Sequence, residues 1–221
     1  MDKRRINKRC SEQVYEILKE RIIAGEFQPN ERLLYKSIAS ELGVSISPVR
    51  EAFLNLEKAG LVKIKPRRGV YVHQISNEDY FEYSLIRFSL ESLAVDRICE
   101  IGITSREVAV LNNINEEFRA SLGSEQSIFE SINHDNEFHR QIIVYSKMKR
   151  LLELIEKMPL ANLRALTNKK KAFLNRGDQI YQTHINIINA IINRDASLAK
   201  SLLYENIIVP LQEIDAAGSK M

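Results

Sequence analysis

The segment Lys36–Val72, KSIASELGVSISPVREAFLNLEKAGLVKIKPRRGVYV, limits what this chain can fold into more than any other stretch. A short helix is predicted over Lys36–Leu42, stopped at Gly43. Ser45 is a candidate N-cap for the next helix, which runs to Gly60. Pro48 is acceptable there because first-turn amides lack intrahelical partners. Leu61–Lys65 and Val70–Val72 alternate like strands, with Pro66-Arg67-Arg68-Gly69 turning between them. Upstream, a helix is expected from Ser11, carrying Val14, Leu18, Ile22 and Ile23 at helical spacing and ending near Gly25. Helix, turn, helix and a two-stranded wing make a winged helix-turn-helix, whose second helix enters the major groove of DNA.

The charge distribution agrees. The chain of 221 residues carries a net charge of +3, but unevenly. Residues 1–75 hold 15 Lys and Arg against 9 Asp and Glu, whereas the remainder holds 17 against 20. A basic front on a mildly acidic back fits a DNA-binding domain, 1–75, joined to a partner domain, 76–221. The basic N-terminus leads into no apolar h-region, and no apolar run approaches ~18 residues, so neither a signal peptide nor a membrane span is expected. Cys10 and Cys99 make neither a disulfide framework nor a cysteine zinc site, which suits a reducing cytoplasm.

After Ser76 the pattern is helical throughout, with helices expected over about 78–101, 104–121, 125–146, 148–169, 177–193 and 195–214. The expected fold class is therefore mainly α: an N-terminal winged helix-turn-helix with a small β wing, then an all-helical bundle of about six helices.

In the first domain, DNA-facing candidates gather at the start of the third helix. Arg50 can donate two parallel hydrogen bonds to guanine or hold a phosphate, and Ser45 and Ser47 can reach phosphates or bases. Arg67 and Arg68 fall at the wing tip, and Gly69 lets the chain turn and approach DNA closely. The competing role for Arg50 is a surface ion pair with Glu51 or Glu57.

In the second domain, Ile128, Ile132, Asp135, His139 and Ile142 recur at steps of four and three, so Asp135 and His139 lie one turn apart on an apolar face. His184 shares a face with Ile187, Ile188 and Ile191. Asn206 shares one with Leu198, Leu202, Leu203 and Val209, and Arg87 one with Tyr80, Tyr83, Leu90 and Ala94. Inward carboxylates and imidazoles need partners. A buried Asp–His hydrogen bond is one solution. The other is a divalent first-row metal, held by Asp135, His139, His184 and the carbonyl of Asn206. Arg87 suits a ligand carboxylate. His134 lies ~100° round the helix from Asp135 and is peripheral.

These residues also carry a family resemblance. Gly25, Pro29, Leu33, Ala39, Leu42-Gly43-Val44-Ser45, Pro48-Val49-Arg50-Glu51-Ala52, Leu56 and Gly60-Leu61-Val62 resemble the GntR winged-helix pattern, particularly its FadR-like branch. The resemblance puts Lys36, Ser45, Ser47, Arg50 and Gly69 at family DNA-contact positions. Ile46 stands where the family usually has Arg, so an operator departing from the common family sequence is expected, with Ile46 against a thymine methyl as one substitute contact. Residues 78–214 resemble the FCD effector domain, and six helices match its VanR-like subgroup. The marks are Arg87 with Glu91, Asp135-x-x-Phe138-His139, His184 before Ile187-Ile188-Ala190-Ile191, and Asp195-Ala196. That domain implies a small carboxylate effector and a divalent metal, zinc or nickel, held by an Asp and three His. Asn206 replaces the fourth ligand, so the metal is expected to be weakly held.

Together these expectations describe a cytoplasmic, homodimeric transcription regulator, a repressor in the commoner family mode, on a near-palindromic double-stranded operator. Neither a membrane partner nor enzymatic activity is expected. Two other classes stay open at this level. One is a metal-dependent enzyme with a DNA-targeting module, for which no spare inward Glu is evident as a general base. The other is a metal-free interaction module.

Overall fold

A computed structural model describes residues 3–123, 128–156, 158 and 170–210. The chain divides into two compact units that meet in sequence at Ile75/Ser76.

The N-terminal unit begins with α1 (Lys3–Ala24). This helix starts eight residues before the expected Ser11, at Lys3. Val14, Leu18 and Ile22, one turn apart, are buried and give α1 the apolar edge that packs on α3. Then come β1 (Arg32–Leu33), α2 (Tyr35–Glu41), α3 (Ile46–Lys58), β2 (Val62–Lys65) and β3 (Gly69–Val72). Val49, Phe53 and Leu56 of α3 are fully buried, as are Leu61 and Val70. The wing contains three antiparallel strands in the order β1-β3-β2 rather than the two expected. β1 pairs Arg32 with Tyr71 and Leu33 with Val70, and a strand of two residues carries no legible alternation. Gly43 (φ 65°) and Gly69 (φ 112°) occupy left-handed backbone. At Gly69 the positive φ favours glycine, and a Cβ would approach only the exposed Arg32 side chain, at 3.0 Å from its Nε.

The second unit is helical among the described residues: α4 (Asn77–Ile101), α5 (Ser105–Ala120) with a short 3₁₀ turn, α6 (Ile128–Tyr145), α7 (Lys149–Glu156), α8 (Lys170–Asn175), α9 (Gly177–Ile192) and α10 (Ala196–Ile207). The ends are set by local chemistry. Ser76 Oγ accepts from the amide of Asp79 at 3.0 Å, and Asp195 Oδ1 accepts from Leu198 at 2.9 Å. Thr104 and Glu107 form a reciprocal capping box. α6 packs on α4 and α5, α9 on α4, α5 and α10, and α10 on α4. Ile98, Leu111, Phe138, Ile142, Ile187 and Leu203 lie in their shared core.

The single helix expected over 148–169 is not what forms at its start. α7 ends at Glu156, consistent with a proline at 159 that cannot continue an interior helix. Residues 157 and 159–169, like 124–127 and 211–221, lie outside the described set, so those parts of the expected helices are not described. Leu198, assigned to the inward face of the last helix, is 49% exposed. The buried edge of α10 runs instead through Ala199, Leu203, Asn206 and Ile207.

Candidate functional site

The DNA-facing candidates share the exterior of the first unit. Lys36 on α2, Ser45 before α3, Ile46, Ser47 and Arg50 on α3, and Arg67 and Arg68 in the wing are exposed, while Gly69 is half-buried. Ser45 occupies the N-cap position but makes no side-chain capping bond, which leaves its hydroxyl outside the helix's own bonding. The surface ion pairs weighed for Arg50 do not form among the described residues. Glu57 instead accepts from the amide of Ile64 at 2.7 Å, and the Arg50 guanidinium lies 5.8 Å from the ring centre of Tyr35. A cation resting on an aromatic face keeps its N–H edges available for another acceptor.

The second site lies inside the helical unit. Arg87 and Glu91 on α4, Asn115 on α5, Asp135 and His139 on α6, His184 on α9 and Asn206 on α10 are all buried. Their helices bring them together because each places a polar residue within an otherwise apolar edge. Asp135 Oδ1 lies 3.6 Å from His184 Nε2 and 4.0 Å from His139 Nε2, and Asn206 Oδ1 lies 3.1 Å from that same His139 nitrogen. The two carboxylate–imidazole separations exceed a hydrogen bond. Asp135, His139 and His184 each offer one ligand atom within 4.8 Å of the others.

The donor set fits a first-row divalent cation. Ligands on a tetrahedral ion with bonds of roughly 2.0–2.1 Å lie about 3.4 Å apart, close to the separations here. Both imidazoles are also held at their other nitrogen. His139 Nδ1 donates to Glu91 Oε2 at 2.5 Å, and His184 Nδ1 donates to Asn115 Oδ1 at 2.9 Å. Outer partners of this kind orient metal-binding imidazoles. Asn206 adds a carbonyl oxygen, and its buried Nδ2 has no hydrogen-bond acceptor among the described residues.

Arg87 is turned into this cluster. Its Nε donates to Glu91 Oε1 at 2.8 Å, and its Nη2 lies 3.7 Å from Asp135 Oδ2 yet has no hydrogen-bond acceptor among the described residues. Burial pushes the Glu91 carboxyl up, but the charges and hydrogen bonds of His139 and Arg87 outweigh it and hold the group below its usual range. Glu91 is thus an inward Glu not evident from the sequence as a candidate base, and both its oxygens are engaged. Asn115 was missed as well. Its signal was its place between Leu111 and Phe118 on the buried edge of α5. His134 is peripheral, 3.5 Å from Glu117 and half-buried.

A winged helix with an exposed recognition helix, followed by a helical unit enclosing a buried polar centre, is the arrangement of a DNA-binding regulator. Residues 10–72 match the bacterial regulatory proteins of the gntR family, and residues 82–208 match the FCD domain. The chain belongs to the GntR family of transcription regulators, in its FCD-containing, FadR-like branch, and this is a non-enzymatic class. It is 33% identical to the HTH-type transcriptional regulator YdhC of Bacillus subtilis over 65% of this chain and 64% of that one. It is 32% identical to McbR of Escherichia coli over 66% and 65%, so these two matches span just under two thirds of each relative. The E. coli repressor RspR is 26% identical over 92% of this chain and 86% of its own. The solved structure of E. coli McbR/YncC superposes with a TM-score of 0.70 at 26% identity, covering 94% of this chain and 96% of that one. No described helix is long and apolar enough to cross a membrane.

Proposed function

We propose that this chain is a homodimeric repressor, acting in the cytoplasm, whose operator affinity is set by a small carboxylate bound in the helical domain, residues 76–221. The convergence of three buried ligand residues carries the proposal: Asp135, His139 and His184 each offer one ligand atom within 4.8 Å of the others in a water-excluded interior. A divalent cation at Asp135, His139, His184 and Asn206 would give these inward-facing groups a common partner. Zinc and nickel both suit the two nitrogens and two oxygens. The bound cation supplies charge to hold the carboxylate. The unsatisfied Nη2 of Arg87 and Nδ2 of Asn206 supply donors for its oxygens.

On DNA, Arg50 reads a base or holds a phosphate at the start of α3. Lys36, Ser45, Ser47 and Gly69 position the unit, and Arg67 and Arg68 carry the wing's charge. Two copies on one operator account for a near-palindromic site. Repression is supported by the name of RspR, a relative matched along most of this chain. The effector must favour one DNA-binding state over the other to act at all.

The test is elemental analysis of the purified protein, a thermal-shift screen of metals and organic acids, and operator binding by fluorescence anisotropy. The expected result is bound or bindable metal, stabilisation by one class of small carboxylate, and weaker operator binding in its presence. Absence of both metal and acid effects, with operator binding intact, would overturn the sensing role and leave a metal-free interaction module.

A further inference from the structure

We infer that Asn115 is a positioning residue for His184, fixing its tautomer and ring orientation so that Nε2 presents a lone pair to the Asp135 side of the cluster. The inference rests on the metal reading for its purpose but not for its geometry. An amide side chain can face either way, and here its surroundings decide. Asn115 Nδ2 donates to the backbone carbonyl of Tyr181 at 3.1 Å. That carbonyl can only accept, so the amide nitrogen must point to it and Oδ1 must point to His184. Oδ1 is in turn only an acceptor, and it lies 2.9 Å from His184 Nδ1. The proton of a neutral His184 therefore sits on Nδ1, and Nε2 is left as the lone-pair nitrogen.

The ring is also held in plane. Phe138 stacks on His184 with centroids 3.8 Å apart and planes 9° from parallel. Asn115 is 1% exposed and His184 is fully buried, so water does not compete for either bond. Tyr181 lies three residues before His184 on α9, so one amide on α5 ties the backbone of α9 to the side chain it must present. The two histidines are held unequally: a carboxylate, Glu91, performs this task for His139, and a neutral amide performs it for His184.

The experiment reads the tautomer directly. Nitrogen-15 NMR of metal-free full-length protein, at about pH 8 and above the ordinary imidazole range, should show His184 with a protonated Nδ1 and a pyridine-like Nε2. Asn115→Leu removes the acceptor at similar size and should shift His184 towards the other tautomer. It should also weaken zinc binding about 10–100-fold in a chelator competition. Asn115→Asp restores an acceptor at Oδ1 and should return the wild-type tautomer. A wild-type His184 protonated on Nε2 would overturn the inference even if neither variant folds. So would an Asn115→Leu protein with unchanged tautomer and unchanged zinc affinity. Wild-type protein that binds no metal but shows the Nδ1-protonated His184 would sink the metal reading alone and leave the positioning role standing.

Discussion

Asp135→Asn keeps the shape of a buried side chain and deletes its charge. Asp135 is 1% exposed, with Oδ1 3.6 Å from His184 Nε2 and 4.0 Å from His139 Nε2. A cation accepted by both imidazoles therefore sits within about 4 Å of the carboxylate charge. At an effective dielectric of ~20, a pair of unit charges at that distance is worth about 4 kcal/mol. A divalent ion should then lose at least roughly 3 kcal/mol, on the order of 100-fold in affinity. With zinc or nickel at ~100 times the wild-type Kd, the wild-type protein gains about 2.7 kcal/mol. That is a rise in Tm of roughly 5–11 °C for a chain of this length. At the same concentration the variant gains only about 0.4 kcal/mol, under ~2 °C. Differential scanning calorimetry on chelator-treated protein, with metal added back, measures both shifts. An Asp135→Asn protein that kept the full metal-dependent shift would refute the assignment of Asp135 as a ligand.

Further outcomes follow from other residues. Arg50→Ala should weaken operator binding by roughly 1–3 kcal/mol and relax preference at one base pair; anisotropy on operator variants checks this, and unchanged affinity and preference would contradict the role. Ile46→Arg should change the preferred operator base at its position in a binding-site selection, whereas an unaltered selected sequence would remove Ile46 from readout. Glu107→Ala should cost about 1 kcal/mol by breaking the capping box, seen as a lower denaturation midpoint. The pH dependence of that loss has a definite sign. Burial pushes the Glu107 carboxyl up, but the hydrogen bonds from Lys147 and Thr104 outweigh it and leave the group lowered in the folded protein. Its contribution is present above the ordinary carboxylate value and fades as pH falls through the lowered folded value, so wild type and variant should converge in acid.

Much of the first unit was legible in sequence because its signals are local. Gly43, Gly60 and Gly69 punctuate it, and Val49, Phe53 and Leu56 repeat at helical spacing. The early start of α1 was not legible, since Lys3–Arg9 is mostly charged and carries no apolar stripe. β1 escaped because two residues pair only through β3, a partner nearly forty residues away. In the second unit the inward direction of Asp135, His139 and His184 followed from periodicity alone. Leu198 misled because it precedes Asn206 by eight residues, about 80° round the helix, which carries it off the buried edge that Ala199, Leu203 and Asn206 define.

What the sequence determined by itself was the class of fold, the recognition helix and the identity of the polar residues turned inward, since each depends on spacing along one element. Only the tertiary structure decided what those residues do to one another. Glu91, Asn115 and Asn206 come from three helices. Their hydrogen bonds to His139 and His184 close across 48, 69 and 67 residues of chain. Contacts at such separation depend on how five helices pack, and packing sets which partner each imidazole nitrogen meets.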